Sequence, residues 1–429
     1  MATSGGLVRV RRALLSVSDK EGLLDLGRAL ADLGVALLAS GGTRQALHAA
    51  GLAVTEVSEY TGQAEILGGR VKTLHPKIHG GILARRDEPG DLETLAVLGI
   101  DPIDLVVVNL YPFEATVARP GVSFEDAVEN IDIGGPSLIR GAAKNHASVA
   151  VVTSPGQYAR LTEQLRERGG TTLEDRLTFA REAFAHTAGY DRAIADYLAK
   201  TTGGPFPEAF APGFVLRQTL RYGENPHQRA AFYTEPHAKG ANLATGSVVH
   251  GKELSYNNLL DLDAALRLIR NFAGPAACIL KHNNPCGAAV ADTLAEAFEL
   301  AYEGDPVSAF GGIVGLNRPV DAAAAARMCT PGRFIECVIA PGFEPEALAI
   351  LTTKPTWKNS VRLYDLNAPL GPAEGPAGFD LRRVEGGLLV QDWDAVEADA
   401  SSWTVPTTRA PTDDERASLE FAWKVCAAV

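Results

Sequence analysis

Several short segments of this 429-residue chain bring together side chains that bind anions or move protons. Ser16, Ser18 and Lys20 follow one apolar run, and Ser40, Gly41, Gly42 and Thr43 follow the next. Hydroxyls and free backbone N–H groups are thereby placed at two neighbouring strand-to-helix junctions, where a phosphorylated ligand is the natural occupant. Taken singly, each segment also fits a plain turn with a helix cap. The run from Gly68 to Gly81 sets four glycines among Arg70, Lys72, His75, Lys77 and His79, and includes Thr73. In an acidic protein such a run points to a held anion, with a solvated basic loop as the alternative. Asn109 and Tyr111 close a third apolar run, Asp132 and Gly134 lie in Ile131-Asp-Ile-Gly-Gly135, and Lys144 follows. Tyr111, Asp132 and Lys144 offer a phenol, an acceptor and a cation for proton transfer. Farther on, Lys281 and His282 end another apolar run, where a neighbouring ammonium favours the neutral, proton-accepting imidazole.

Elements at the right places can present these groups. Ala13 to Val17, Val35 to Ala39, Ile103 to Val108 and Ser148 to Thr153 read as strands alternating with helical periodicity, the pattern of an α/β parallel sheet covered by helices. Ser18-Asp-Lys-Glu21 has the form of a capping box opening a helix through Leu33. Ligands of such sheets sit outside the carboxyl ends of the strands. Two helical stretches, Gln157 to Arg168 and Leu173 to Lys200, precede thirteen residues with three prolines and three glycines, which divide the chain into 1–200, a linker 201–213, and 214–429. The second part mixes helices near Leu259 to Asn271 and Leu294 to Glu303 with strands at Ala276 to Leu280, Gly312 to Leu316 and Val338 to Ile339.

The balance of 40 Lys and Arg against 52 Asp and Glu gives a net charge of −12, which argues against a phosphate-neutralising face for nucleic acid, so no nucleic-acid partner is expected. No apolar run is long enough for a membrane span and Met1 to Arg12 lacks a signal-peptide core, so no membrane association and a cytosolic location are expected. The five cysteines, Cys278, Cys286, Cys329, Cys337 and Cys426, form no Cys-x-x-Cys pair and read as reduced thiols. Pro285-Cys286 matches half of a zinc deaminase pattern, but Ala289 stands at the second cysteine and no His-x-Glu occurs, so no metal is expected.

Ser16-Val-Ser-Asp-Lys20, Ser40-Gly-Gly-Thr43, the Gly-Gly-Arg-Val-Lys-Thr-Leu-His-Pro run, Asn109-Leu-Tyr-Pro-Phe113, Ile131-Asp-Ile-Gly-Gly135 and Ala142-Ala-Lys-Asn-His146 together resemble the IMP cyclohydrolase domain of the bifunctional PurH family of purine biosynthesis. The resemblance implies a methylglyoxal-synthase-like fold that closes 5-formamidoimidazole-4-carboxamide ribonucleotide (FAICAR) to inosine monophosphate (IMP). It implies that Ser16, Ser18, Lys20, Ser40, Gly41, Gly42, Thr43, Arg70, Thr73, Asn109 and Gly134 bind nucleotide, and that Lys72, Tyr111, Asp132 and Lys144 orient the amide and move protons.

Leu220-Arg-Tyr-Gly-Glu-Asn-Pro-His-Gln228, Ser255-Tyr-Asn-Asn-Leu259, Ile279-Leu-Lys-His-Asn-Asn-Pro-Cys-Gly287 and Ser308-Ala-Phe-Gly-Gly312 resemble the AICAR transformylase domain of the same family. This implies a duplicated cytidine-deaminase-like fold and formyl transfer from 10-formyltetrahydrofolate to 5-aminoimidazole-4-carboxamide ribonucleotide (AICAR). It implies His282 as general base, Lys281 stabilising charge, Arg221, Tyr222 and Asn258 on nucleotide, Glu336 on folate, and a homodimer. Family segments of the form Ser-Asn-Ala-Ile, Gly-Gln-x-x-Arg and Asp-Ala-Phe-Phe-Pro-Phe are not found before Val429, so the transformylase domain is expected to be truncated and its activity reduced. A non-catalytic nucleotide-binding module is the alternative function, and methylglyoxal synthase would leave 214–429 unused.

Overall fold

The computed structural model describes residues 6–204, 206–236, 238–371, 378–394 and 400–429. They divide into two compact units, Met1–Ala211 and Pro212–Val429.

In the first unit β1 (Arg12–Val17), β2 (Ala36–Ala39), β3 (Val54–Glu56), β4 (Leu105–Asn109) and β5 (Ala150–Val152) form one parallel sheet in the order β3-β2-β1-β4-β5. All five residues of β4 are buried, as expected for a strand covered on both faces. Helix Leu23–Asp32 buries Leu23, Leu26 and Leu30 on one stripe, and helix Gly134–Lys144 buries Leu138, Ile139 and Ala142. The strand order reverses between β1 and β4, which opens a crevice at their carboxyl ends.

One local expectation fails for a physical reason, and one alternative reading is modified. Ser18 to Glu21 does not start a helix. Asn109 Oδ1 takes the N–H groups of Ser18 and Asp19 at 2.6 and 2.8 Å, and the helix begins only at Leu23 behind Gly22, whose φ is 68°. The basic run is only partly a loop, because Pro76–Leu83 is a helix capped by His75, whose Nδ1 accepts the Lys77 N–H at 3.1 Å.

In the second unit β8 (Ser247–His250), β9 (Ala276–Lys281), β10 (Asn284–Val290), β11 (Gly312–Leu316), β12 (Ile335–Ala340) and β13 (Arg362–Asp365) make a mixed sheet in the order β10-β9-β11-β12-β13-β8. Period-2 alternation splits its side chains between two cores. Ile313, Cys337 and Ile339 meet Leu262, Leu266 and Ile269 of helix Tyr256–Ile269, while Val314, Leu316 and Val338 meet Phe298 and Met328 of helices Leu294–Gly304 and Ala322–Met328. Two hairpins, β6 (Val215–Leu220) with β7 (Ala230–Thr234) and β14 (Phe379–Val384) with β15 (Gly387–Asp392), form separate ladders. Cys278 is fully buried, with burial pushing its thiol up to about 12.

Candidate active site

The carboxyl ends of β1, β2 and β4 and the start of helix Gly134–Lys144 enclose a cavity of about 430 Å³. Ser16, Ser18, Lys20, Ser40, Gly41, Gly42, Thr43, Arg70, Lys72, Thr73, Asn109, Tyr111, Asp132 and Gly134 all line it. Two ammonium groups converge on the N-terminus of helix Gly41–Ala49. A Cβ on Gly42 would lie 3.6 Å from Lys20 Nζ, and one on Gly41 would lie 3.8 Å from Lys72 Nζ. Lys20 Nζ donates to the carbonyls of Val17 and Ser18 at 3.4 Å each, and neither lysine has a carboxylate in ion-pair reach among the described residues, so two cations without an ion-pair partner and a positive helix end share one spot. That combination suits an anion. Arg70 stands at the mouth, paired with Glu129 at 3.3 Å while both remain exposed.

Across the cavity, the Asp132 carboxylate accepts the Gly135 N–H at 2.7 Å and a backbone N–H of Tyr111. Burial raises its pKa above the ordinary aspartate value, and the nearby Lys72 ammonium opposes that shift only in part. Close packing here depends on two glycines, since a Cβ on Gly134 would come 2.7 Å from Thr73 Oγ1 and one on Gly135 2.5 Å from Asp132 Oδ2. Tyr111 is 41% exposed, with its phenol open to the cavity.

Three expected contacts are corrected. Lys144 does not reach this cavity. It ends the helix that begins at Gly134, and a helical rise of about 1.5 Å per residue carries it roughly 15 Å away, to an exposed position. The Thr43 hydroxyl is spent on β1, accepting the Val17 N–H at 3.0 Å and donating to the Val17 carbonyl at 3.1 Å. The Asn109 amide is spent on the Ser18–Asp19 loop, with its Nδ2 donating to the Asp19 carbonyl at 2.9 Å. Both side chains line the cavity while these hydrogen bonds hold the Ser16–Lys20 and Ser40–Thr43 loops in shape.

In the second unit, His282 and Asn283 follow β9 in left-handed conformation, with φ of 53° and 63°. Non-glycine residues hold such backbone only when braced. The brace is Asp261 on helix Tyr256–Ile269, whose Oδ1 accepts the Asn283 N–H at 2.7 Å and whose carboxylate also feels His282. Sequence reasoning missed Asp261; the available signal was a carboxylate three residues after Asn258, on the same helix face. Lys281 Nζ donates to the Phe310 carbonyl at 3.1 Å, which ties it to the Ser308–Gly312 segment. Asn258 is not a free nucleotide ligand, because it is 4% exposed, caps its helix with Ser255, and donates to Glu336 Oε1 at 3.0 Å. Glu336 also meets the buried Arg362 at 3.3 Å. Arg221 lies over the ring of Tyr222 at 5.7 Å, and no hydrogen bond joins either to the Lys281–His282 turn among the described residues. Burial raises the Cys286 thiol, which argues against a nucleophile there.

The MGS-like domain profile matches residues 22–137, and that of the AICARFT/IMPCHase bienzyme matches residues 142–429. The chain belongs to the AICARFT/IMPCHase bienzyme family. It is 52% identical over 421 residues to the bifunctional purine biosynthesis protein PurH of Rhodopirellula baltica, an alignment covering 98% of this chain and 80% of that protein. The PurH protein of Thermosynechococcus vestitus is 52% identical over 425 residues, covering 97% of this chain and 80% of the relative. A solved structure described as that of ForH is 37% identical and superposes with a TM-score of 0.41, covering 44% of this chain and 96% of its own. Membership of the bienzyme family carries the two late steps of purine biosynthesis, formyl transfer and cyclohydrolase ring closure, and does not favour a non-catalytic binding module. Among the described residues no group of His, Cys, Asp and Glu has metal-site geometry, and no helix is long and apolar enough to cross a membrane.

Proposed function

We propose that the cavity at the carboxyl ends of β1, β2 and β4 is where this bienzyme-family chain closes FAICAR to IMP. The observation that carries the reading is the meeting of Lys20 and Lys72 at one helix N-terminus, with Asp132 and Tyr111 across the same cavity. The nucleotide phosphate sits against the Gly41 and Gly42 N–H groups, Lys20, and the Ser16, Ser18 and Ser40 hydroxyls, with Arg70 closing the mouth. Thr73 and Gly134 then flank the base.

Ring closure forms a bond from the carboxamide nitrogen to the formyl carbon, and the formyl oxygen becomes a hydroxyl. The C–O bond then breaks and the hydroxyl leaves as water, so one group must take a proton from nitrogen and one must give a proton to oxygen. Asp132 suits the exchange, because its raised pKa lets the carboxyl hold a proton at a pH where a surface aspartate is bare. Lys72 stabilises the oxygen as it becomes charged, and the Tyr111 phenol orients the amide. Lys144, at the far end of its helix, has no part in this cavity.

In the second unit the reading is formyl transfer from 10-formyltetrahydrofolate to AICAR, with His282 accepting the amine proton and Lys281 stabilising developing charge. Arg221 and Tyr222 bind nucleotide, Glu336 faces the folate, and Asp261 fixes the His282 turn. A cytosolic homodimer completes the reading, with residues 1–200 and 214–429 as its two catalytic domains.

A paired assay tests the proposal: purified chain with FAICAR, following IMP, then chain with AICAR and 10-formyltetrahydrofolate. IMP in the first assay supports the cavity assignment, and formylated product in the second supports the His282 site. Nucleotide binding with product in neither refutes both assignments.

A further inference from the structure

Tyr111 and Asp132 sit on separate connections, and neither is held by the sheet's hydrogen-bond ladder. Both connections meet one side chain of the long helix Leu173–Thr202. Tyr190, 8% exposed, accepts the Asp132 N–H on its hydroxyl at 2.8 Å and donates that hydroxyl to the Asn130 carbonyl at 3.2 Å. One oxygen thus pins both ends of the segment that presents the carboxylate. Its ring lies edge-on to Phe113 at 6.2 Å and 68°. Phe113 is buried, its N–H donates to the Tyr111 carbonyl at 2.8 Å, and its ring also meets Tyr197 edge-on at 5.7 Å and 87°.

A buried ring needed only for packing would be served by phenylalanine, since burying an unpaired hydroxyl is unfavourable. Here the two backbone groups on either side of Ile131 pair the hydroxyl both as acceptor and as donor, and the ring bears on the residue two places after Tyr111. We propose that Tyr190 is a positioning residue for cyclisation, setting the separation of the Asp132 carboxylate and the Tyr111 phenol. The inference rests on the assignment of this cavity as the cyclisation site.

Tyr190→Phe tests it by removing the oxygen and keeping the ring contact with Phe113. A shift of Asp132 by an ångström costs on the order of 100-fold, so kcat for FAICAR closure is expected to fall about 10- to 100-fold. KM should stay within about threefold, because among the described residues no hydrogen bond joins Tyr190 to the Ser16–Lys20 or Ser40–Thr43 loops. Amide hydrogen exchange at Asp132 should quicken while exchange in β1 and β4 is unchanged. A kcat within twofold of the parent overturns the proposal, as does a kcat loss accompanied by faster exchange throughout β1 and β4, which would make the role one of general stability. If the parent chain makes no IMP, the functional reading fails separately, and unchanged Asp132 exchange in the variant would then overturn the placement while faster exchange would uphold it.

Discussion

Gly135 separates the demands of catalysis from those of helix stability. The Asp132 carboxylate packs directly on its bare Cα, and a methyl group there would lie 2.5 Å from Asp132 Oδ2 and 2.7 Å from Leu110 Cδ2. To reach an ordinary contact of 3.4 Å, the carboxylate oxygen must retreat by about 0.9 Å. Misplacement of a reacting group by roughly 1 Å costs about 100-fold, so Gly135→Ala should lower kcat for IMP formation by that order. In stability the same change gains about 1 kcal/mol of helix propensity and loses about 1–3 kcal/mol to overpacking, leaving a small net destabilisation. Gly141 on the same helix is the control. A Cβ there meets nothing nearer than Ile82 Cγ2 at 3.6 Å, so Gly141→Ala should raise the melting temperature by a few degrees and leave kcat alone. Steady-state kinetics of FAICAR closure beside calorimetric melting reads both effects. A Gly135→Ala enzyme within threefold of parental kcat would refute the argument that Asp132 needs this contact.

Arg176 is 1% exposed and donates to the carbonyls of Gly6, His146, Ala147 and Thr171, so Arg176→Met strips charge-assisted partners from buried backbone. A loss of about 3–5 kcal/mol and a fall of about 10 °C in melting temperature are expected, and a fall under about 3 °C would contradict it. Because folding raises the Asp132 pKa, the native state binds that proton more tightly than the unfolded chain; the resulting stability is complete below the ordinary value of 3.8 and is lost as pH rises through the raised value. Asp132→Asn has no such dependence, so its melting temperature should gain on the parent between pH 4 and pH 8, and a gap that stays constant would contradict the sign. Lys20 and Lys72 repel each other beside a positive helix end until an anion arrives. Lys20→Ala relieves that repulsion but loses two long hydrogen bonds to the Val17 and Ser18 carbonyls, so without ligand it should melt within about 2 °C of the parent, yet gain less when IMP is added, whereas an equal IMP-induced rise would remove Lys20 from the phosphate site.

The sheets were legible where burial leaves an unbroken apolar run. β4 is buried at every residue and β9 at five of six, and both read directly as strands. The edge strand Val54–Glu56 and the half-exposed ladder of β6 and β7 lack that signal, because solvent on one side lets polar residues interrupt the run. The start of helix Leu23–Asp32 was misread for another reason. The local pattern at Ser18 to Glu21 favours a cap, but Asn109, some ninety positions away, captures the backbone of Ser18 and Asp19 first. Local propensity lost to a long-range hydrogen bond.

The same distinction separates the site residues. Gly41, Gly42 and Lys20 were legible because a helix N-terminus with nearby cations is local chemistry, written within a few residues of each junction. Thr43, Asn109 and Asn258 were legible as polar groups, but what consumes them is not local: β1, the Ser18 loop and Glu336 each take the side chain before a ligand can. Lys144 and Asp261 mark the two opposite errors. Twelve residues from Asp132, Lys144 looks close along the chain, yet an intervening helix converts that spacing into distance. Asp261 is twenty-two residues before Asn283 and looks remote, yet the return of the chain from helix to strand sets it 2.7 Å from that residue's N–H. Nearness in a cavity is decided by which elements turn back on the sheet, so the cation that faces Asp132 is Lys72, sixty residues upstream, rather than the one that follows it on its own helix.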